Sequence, residues 1–267
     1  MKLHFFKYQG CGNDFIIFDN RTGTIQLKKK QIKNLCDRHF GIGADGLMLL
    51  EYEKGYDFKM IYYNSDGNVS SLCGNGSRCI TAFAQSLNII KDKARFLAAD
   101  GEHHSVIPLR QAQDDIAEIA LKMNDVNSLD DHKDFIFLNT GSPHVVKWVR
   151  NLKDYDVLTE GRKIRRSEPF NSKGGTNVNF AEQNLDGIFI RTYERGVENE
   201  TLACGTGVTA AALVAAHFNK ASSKNSCKVK TLGGNLSVSF HKNKSGFTEI
   251  WLKGPAQFVF EGEIVLK

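Results

Sequence analysis

Two short segments, set half a chain apart, constrain this protein most. Ser71-Leu72-Cys73-Gly74-Asn75-Gly76-Ser77-Arg78 and Leu202-Ala203-Cys204-Gly205-Thr206-Gly207-Val208 each put a cysteine directly before a Gly-x-Gly turn. Each turn leads into a helical run. Ile80, Phe83, Ala84 and Leu87 follow the i, i+3, i+4, i+7 spacing, and Val208 to Phe218 is apolar on nearly every side, as a buried helix is. Cys204 lies 131 residues after Cys73 in a chain of 267. Two other anchors keep almost the same interval: Ser142 follows Asn13 by 129 residues, and Tyr193 follows Tyr63 by 130. A repeat of that length means duplicated domains, not a solenoid.

The flanking patterns agree with a duplication. Phe5 to Asn20 reads as strand, polar turn and strand, and Phe135 to Val146 repeats that order around the turn Asn139 to Pro143. Helices are expected over Lys28–His39 and Tyr155–Arg162. Strands are expected over Leu47–Tyr52, Phe58–Tyr63, Ala94–Ala99, Glu102–Arg110 and Ile116–Met123. In the second half they are expected over Thr176–Ala181, Ile188–Tyr193, Leu236–Phe240, Thr248–Lys253 and Phe258–Leu266, with one more around Val229. Asn124 to Asp134 is polar and reads as the linker. The glycine-rich Phe40 to Gly46 loop has no Gly-Lys-Ser/Thr ending and leads into a strand, which argues against a phosphate loop.

Charge and cysteine usage narrow the function. The formal balance is +5, and no basic run is interleaved with aromatics, so a nucleic-acid partner is not expected. No apolar run approaches the ~18 residues that span a bilayer, and the N-terminus soon turns polar. A cytoplasmic protein without a membrane partner is expected, with its six cysteines reduced. None forms a CxxC pair and their spacing does not suit zinc, so no metal is expected.

Cys73 and Cys204 are therefore read as thiols. A helix N-terminus favours an anion. It lowers a thiol's pKa and can hold a carboxylate. Two such thiols at equivalent points of a duplicated fold suit one task. One thiolate takes a proton from a carbon, and the opposite thiol returns one to the other face. The centre inverts with no redox change.

Gly12-Asn13-Asp14-Phe15, Tyr63-Asn64-Ser65-Asp66-Gly67, Cys73-Gly74-Asn75-Gly76-Ser77-Arg78, Gly141-Ser142-Pro143-His144, Glu194-Arg195-Gly196 and Ala203-Cys204-Gly205-Thr206-Gly207 together resemble the diaminopimelate epimerase family. The resemblance implies an α+β fold of two pseudo-symmetric duplicated domains. Each would be a mostly antiparallel sheet or barrel wrapped around a central helix, with the active site in the interdomain cleft. The domains would cover 1–123, completed by about 258–267, and 124–257. It implies a cofactor-independent two-base epimerase converting LL- to meso-2,6-diaminopimelate, in lysine and cell-wall precursor biosynthesis. Cys73 and Cys204 would transfer the protons, with His144 and Glu194 tuning them. Asn13, Asn64, Asn177, Glu194 and Arg195 would hold the substrate's distal end, and Gly74, Asn75, Gly205 and Thr206 the reacting carboxylate. An exposed strand edge leaves a homodimer open. Two departures stand out: Ser142 replaces the Asn common before Pro-His, and Gly46 replaces the Gln of some members. Proline racemase and hydroxyproline epimerase enzymes resemble the cysteine arrangement but have no distal amino-acid end to bind. A thiol redox switch is the reading from another class.

Overall fold

The computed structural model describes residues 2–70, 72–108 and 116–266; Ser71 of the first cysteine segment and Arg110 of one expected strand lie outside them. The chain divides into two compact units, residues 1–121 with 254–267, and residues 122–253.

The first unit opens with β1 (Lys2–Gly10) and β2 (Asn13–Asp19), joined by Cys11 and Gly12. Both loop residues have positive φ, 53° and 84°, as a two-residue hairpin requires. Helix α1 (Lys29–Cys36) crosses to β3 (Gly46–Glu51), which lies parallel to β2 and antiparallel to β4 (Phe58–Asn64). Helix α2 (Gly74–Ser86) crosses to β5 (Lys93–Ala98), parallel to β4, and β6 (Gly101–Val106) and β7 (Ile116–Lys122) follow.

The second unit repeats the plan. After the short β8 (Asp130–Asp131) come β9 (Ile136–Asn139) and β10 (Pro143–Trp148). Helix α3 (Val157–Arg165) crosses to β11 (Asn177–Asn184), parallel to β10, and β12 (Gly187–Glu194) pairs antiparallel with β11. A short β13 (Asn199–Thr201) precedes α4 (Gly205–His217), which crosses to β14 (Ser226–Thr231), parallel to β12. Then β15 (Gly234–Asn243) leads to β16 (Gly246–Val265). Parallel pairs and crossover helices thus fall at the same places in both units.

Two expectations change. Thr248–Lys253 and Phe258–Leu266 belong to one strand of 20 residues, β16. Pro255 does not break it, because proline gives up only its own donor and the strand stays in register with β7 at that point. Residues 246–253 of β16 pair with β15, 254–257 with β7, and 257–265 with β1. The first unit thereby closes into an eight-stranded barrel, β1 through β7 and β16. The expected linker is not a bare connector either. Val126 is buried and bridges Phe247, and Asp130 and Asp131 pair with β9.

Each unit is built around one helix. In α2 every residue from Asn75 to Ala84 is buried, and in α4 every residue from Gly207 to Ala216. Such all-round burial leaves no face exposed to solvent, so the strands wrap these helices. The shorter helices cover the other face of the strands. Ile32, Leu35 and Cys36 of α1 pack with Ile16, Phe18, Leu47 and Leu49, while Val157 of α3 packs with Val145, Val178 and Phe180. This is why β2 and β3 read as continuous apolar runs: both faces are covered. Among the described residues no helix is long and apolar enough to cross a membrane.

Candidate active site

The two cysteines occupy the same position in their elements. Cys73 is the N-cap of α2, with φ −107° and ψ 117°, and Cys204 the N-cap of α4, with φ −112° and ψ 113°. In each helix the first backbone bond returns to the cysteine carbonyl, from Ser77 N–H at 2.7 Å and from Val208 N–H at 2.8 Å. Gly74, Asn75, Gly205 and Thr206 form the two helix starts, where N–H groups precede the ladder and the dipole is positive. Cys73 is half-buried and Cys204 is buried. The Cys204 Sγ lies 3.4 Å from Thr206 Oγ1, and Thr140 Oγ1 donates to the Thr206 carbonyl at 3.0 Å.

In the first unit, side chains beside α2 form a chain of amides. Asn75 Nδ2 donates to Asn13 Oδ1 at 2.7 Å, and Asn13 Nδ2 donates to Asp45 Oδ2 at 3.1 Å. Buried Arg78 donates to Asn75 Oδ1 at 2.7 Å and to the Gly74 and Pro255 carbonyls at 3.2 Å each. Asn75 therefore spends its side chain on orienting Asn13, which was expected only as a ligand group. Asn64 ends β4 opposite Gly46, and Ser65 N–H donates to the Asp45 carbonyl at 3.2 Å, so Asn64 and Asn13 share one edge. The Tyr62 ring lies in the space a side chain at position 46 would need. Beneath this edge, Asp14 binds Lys7 at 2.7 Å and Arg38 at 2.7 Å. Burial raises the Asp14 carboxyl, but hydrogen bonds from Arg38 and Lys7 outweigh that and hold it at about 2.

In the second unit, Asn177, Glu194 and Arg195 gather where β11 begins and β12 ends. Arg195 N–H donates to Asn177 Oδ1 at 2.9 Å. Asn177 Nδ2 donates to Ser142 Oγ at 2.9 Å and to the Pro143 carbonyl at 3.1 Å, and Arg195 Nη2 reaches Ser142 Oγ at 3.5 Å. The serine that departs from the common Asn thus holds two ligand candidates in place. Glu194 Oε2 accepts from Thr201 Oγ1 at 2.9 Å, and burial pushes its carboxyl above the ordinary range against that bond. His144 is fully buried on β10. Burial, helped by the Arg195 charge, pulls its pKa down to about 3, so it is neutral at ordinary pH. Asn179 Nδ2 lies 3.0 Å from its Nδ1.

The sequence profile of the diaminopimelate epimerase family matches residues 5–116 and 136–259. The chain belongs to this family. The diaminopimelate epimerase of Flavobacterium psychrophilum is 53% identical over 269 residues, covering 99% of this chain and 100% of that one. Among solved structures, a PhzF-family phenazine biosynthesis protein of Bacillus anthracis shares 14% identity at a TM-score of 0.75, with 100% of each chain covered. A hydroxyproline epimerase of Agrobacterium vitis shares 12% at 0.66, covering 98% of this chain and 92% of that one. Those two likenesses show the α+β fold.

Family motifs led to the cysteines and the groups around them but not to their supports. Asp45, Thr140, Thr192 and Thr201 carried no separate signal. Arg78 and Asn179 carry a signal of their own in the sequence. Arg78 is the one charged residue of its helix, and Asn179 is an amide within a strand, where such residues are depleted. Among the described residues no group of three or more His, Cys, Asp or Glu side chains is placed to hold a metal.

Proposed function

We propose that the chain inverts one α-carbon of 2,6-diaminopimelate, LL to meso, with Cys73 and Cys204 as its two bases. What carries the reading is the pair of cysteines, each the N-cap of the buried helix of its unit, in a member of this family. One thiolate takes the α-proton, the C–H electron pair delocalises toward the α-carboxylate, and the other thiol delivers a proton to the opposite face. No electrons change hands, and each turnover leaves the two sulfurs with exchanged protonation. Helix-start N–H groups at Gly74 and Asn75, and at Gly205 and Thr206, suit a carboxylate on which charge builds. Arg195 offers a guanidinium to the distal carboxylate, and Asn13, Asn64 and Asn177 offer amides that tell one amino-acid end from another. Glu194, raised by burial, is the group suited to exchange a proton with a thiol. The same reading makes the protein a cytoplasmic enzyme of lysine and cell-wall precursor synthesis that needs no cofactor. A homodimer would show by light scattering as twice the 29.8 kDa chain.

The deciding experiment runs LL-diaminopimelate and L-proline side by side in heavy water. Inversion of diaminopimelate with one deuterium gained at the inverted carbon, and an inert proline, is the expected result. Inversion without solvent deuterium would rule out the two-base route, and turnover of proline alone would move the chain to the racemase reading.

A further inference from the structure

We infer that Asn179 is a positioning residue that locks His144 in its Nε2–H tautomer, so that His144 serves the reaction as a neutral hydrogen-bond donor to an anion and not as a base. The proposal rests on the epimerase reading for its chemistry, but its geometry stands apart from it.

The amide orientation follows from its partners. Asn179 Nδ2 donates to the Val145 carbonyl at 3.0 Å, and a carbonyl can only accept. Asn179 Oδ1 accepts from Thr192 Oγ1 at 2.9 Å. The group facing His144 Nδ1 is therefore an N–H, and Nδ1 must offer its lone pair. Neutral imidazole then carries its proton on Nε2. That nitrogen is fully buried and has no hydrogen-bond partner among the described residues. A buried N–H left unpaired is costly and calls for an explanation. An anionic acceptor arriving at the site, a substrate carboxylate or a cysteine thiolate, supplies one.

The internal copy shows that the fold itself does not need this network. Strand registers pair Asn179 with Val146 on one side and Thr192 on the other, and pair Met48 with Ile17 and Tyr62 in the same way. Asn179 thus corresponds to Met48, Thr192 to Tyr62, and His144 to Phe15. The first turn of the cysteine helix rests on these residues in both units. A Cβ on Gly76 would lie 3.2 Å from Met48 Sδ and 3.5 Å from the Phe15 ring, while a Cβ on Gly207 would collide with Asn179 Oδ1. Apolar side chains fill the seat beneath α2. A polar triad fills the equivalent seat beneath α4, so its polarity answers to chemistry.

Groups beside His144 leave the tautomer to Asn179. Its strand neighbours are Leu138 and Asn177, neither titratable. Arg195, after β12, is the charge that acts on it and opposes protonation. From α4, the turn that begins at Cys204 packs on Asn179.

The test is 15N NMR of histidine-labelled protein, with His144→Gln to assign the signal, alongside Asn179→Met and Asn179→Asp. Methionine is the residue the first unit holds at this position, so Asn179→Met should fold. In the unsubstituted protein Nδ1 should show a pyridine-like shift and Nε2 a pyrrole-like one, unchanged from pH 5 to 9. Asn179→Met should lose that single-tautomer signature. Asn179→Asp should move the proton to Nδ1 and make the ring titrate. Its kcat should then fall roughly 10–100-fold as pH rises past the new histidine pKa, as Nε2–H disappears. A kcat loss of the same size at every pH would mark a structural role only. A protonated Nδ1 in the unsubstituted protein, or the same tautomer in all three, overturns the proposal. Added diaminopimelate shifting the Nε2–H resonance identifies a substrate carboxylate as acceptor. A shift on Cys73→Ser or Cys204→Ser in the ligand-free protein identifies a thiolate. Silence in both arms removes the donor role. The tautomer is read without turnover, so its failure is distinct from failure of the heavy-water experiment.

Discussion

Gly76 and Gly207 are equivalent in sequence but not in their surroundings. Alanine in a helix gains roughly 1 kcal/mol over glycine. At position 76 the new methyl meets the flexible end of Met48, so Gly76→Ala should change stability little. At position 207 it meets an amide held by three hydrogen bonds, and Gly207→Ala should cost about 1–3 kcal/mol by urea denaturation. Asp14 makes a second prediction at this scale. Its folded pKa of about 2 lies below the ordinary value near 3.9. A depressed carboxyl stabilises the fold above the unfolded value and loses that contribution as pH falls through the folded one. The ion cluster should therefore give up about 2 kcal/mol between pH 4 and pH 2. Asn at position 14 should flatten that part of the stability curve, and an unchanged curve would show the cluster contributes nothing.

At the scale of elements, the two helix starts are proposed to carry the chemistry. Replacing either cysteine with alanine should cut epimerisation by at least about 10³-fold with the fold intact by circular dichroism, because each thiol is proposed to serve one face. Near-normal turnover in either variant would return that cysteine to a packing role. Residues at the start of β11 and the end of β12 are proposed to set binding instead. Arg195→Ala should raise KM with a smaller effect on kcat, since the guanidinium is proposed to hold the end that does not react. Ser142→Ala removes the oxygen that braces Asn177 and Arg195 and should move KM the same way. Helix positions were legible because α4 is apolar on nearly every side, α2 and its C-cap carry Ile80, Phe83, Ala84 and Leu87 at helical spacing, and both begin at Gly-x-Gly. Short β13 was not, since three residues carry no periodicity.

At the scale of the whole molecule, two thiols from two units are proposed to act on one carbon. A mixture of Cys73→Ala and Cys204→Ala proteins should then stay inactive in the diaminopimelate assay if both thiols come from one chain, and recovered activity would show that chains share sites. The duplication was visible in the sequence, because the intervals Asn13 to Ser142, Tyr63 to Tyr193 and Cys73 to Cys204 survive where side-chain identity does not. Spacing is preserved when each strand and crossover must keep its length to wrap the same helix. The sequence by itself determined the family, the α+β class and the central helices, and it singled out the two candidate thiols, all of which rest on local pattern and motif order. Only the tertiary structure decided that β16 is a single strand, that Ser142 and Asn75 brace other residues, and that a polar triad in one unit stands where the other has methionine, tyrosine and phenylalanine. Those are pairings between strands distant in sequence. Hydrogen-bond partners and tautomers depend on what lies across the sheet, which no local pattern records.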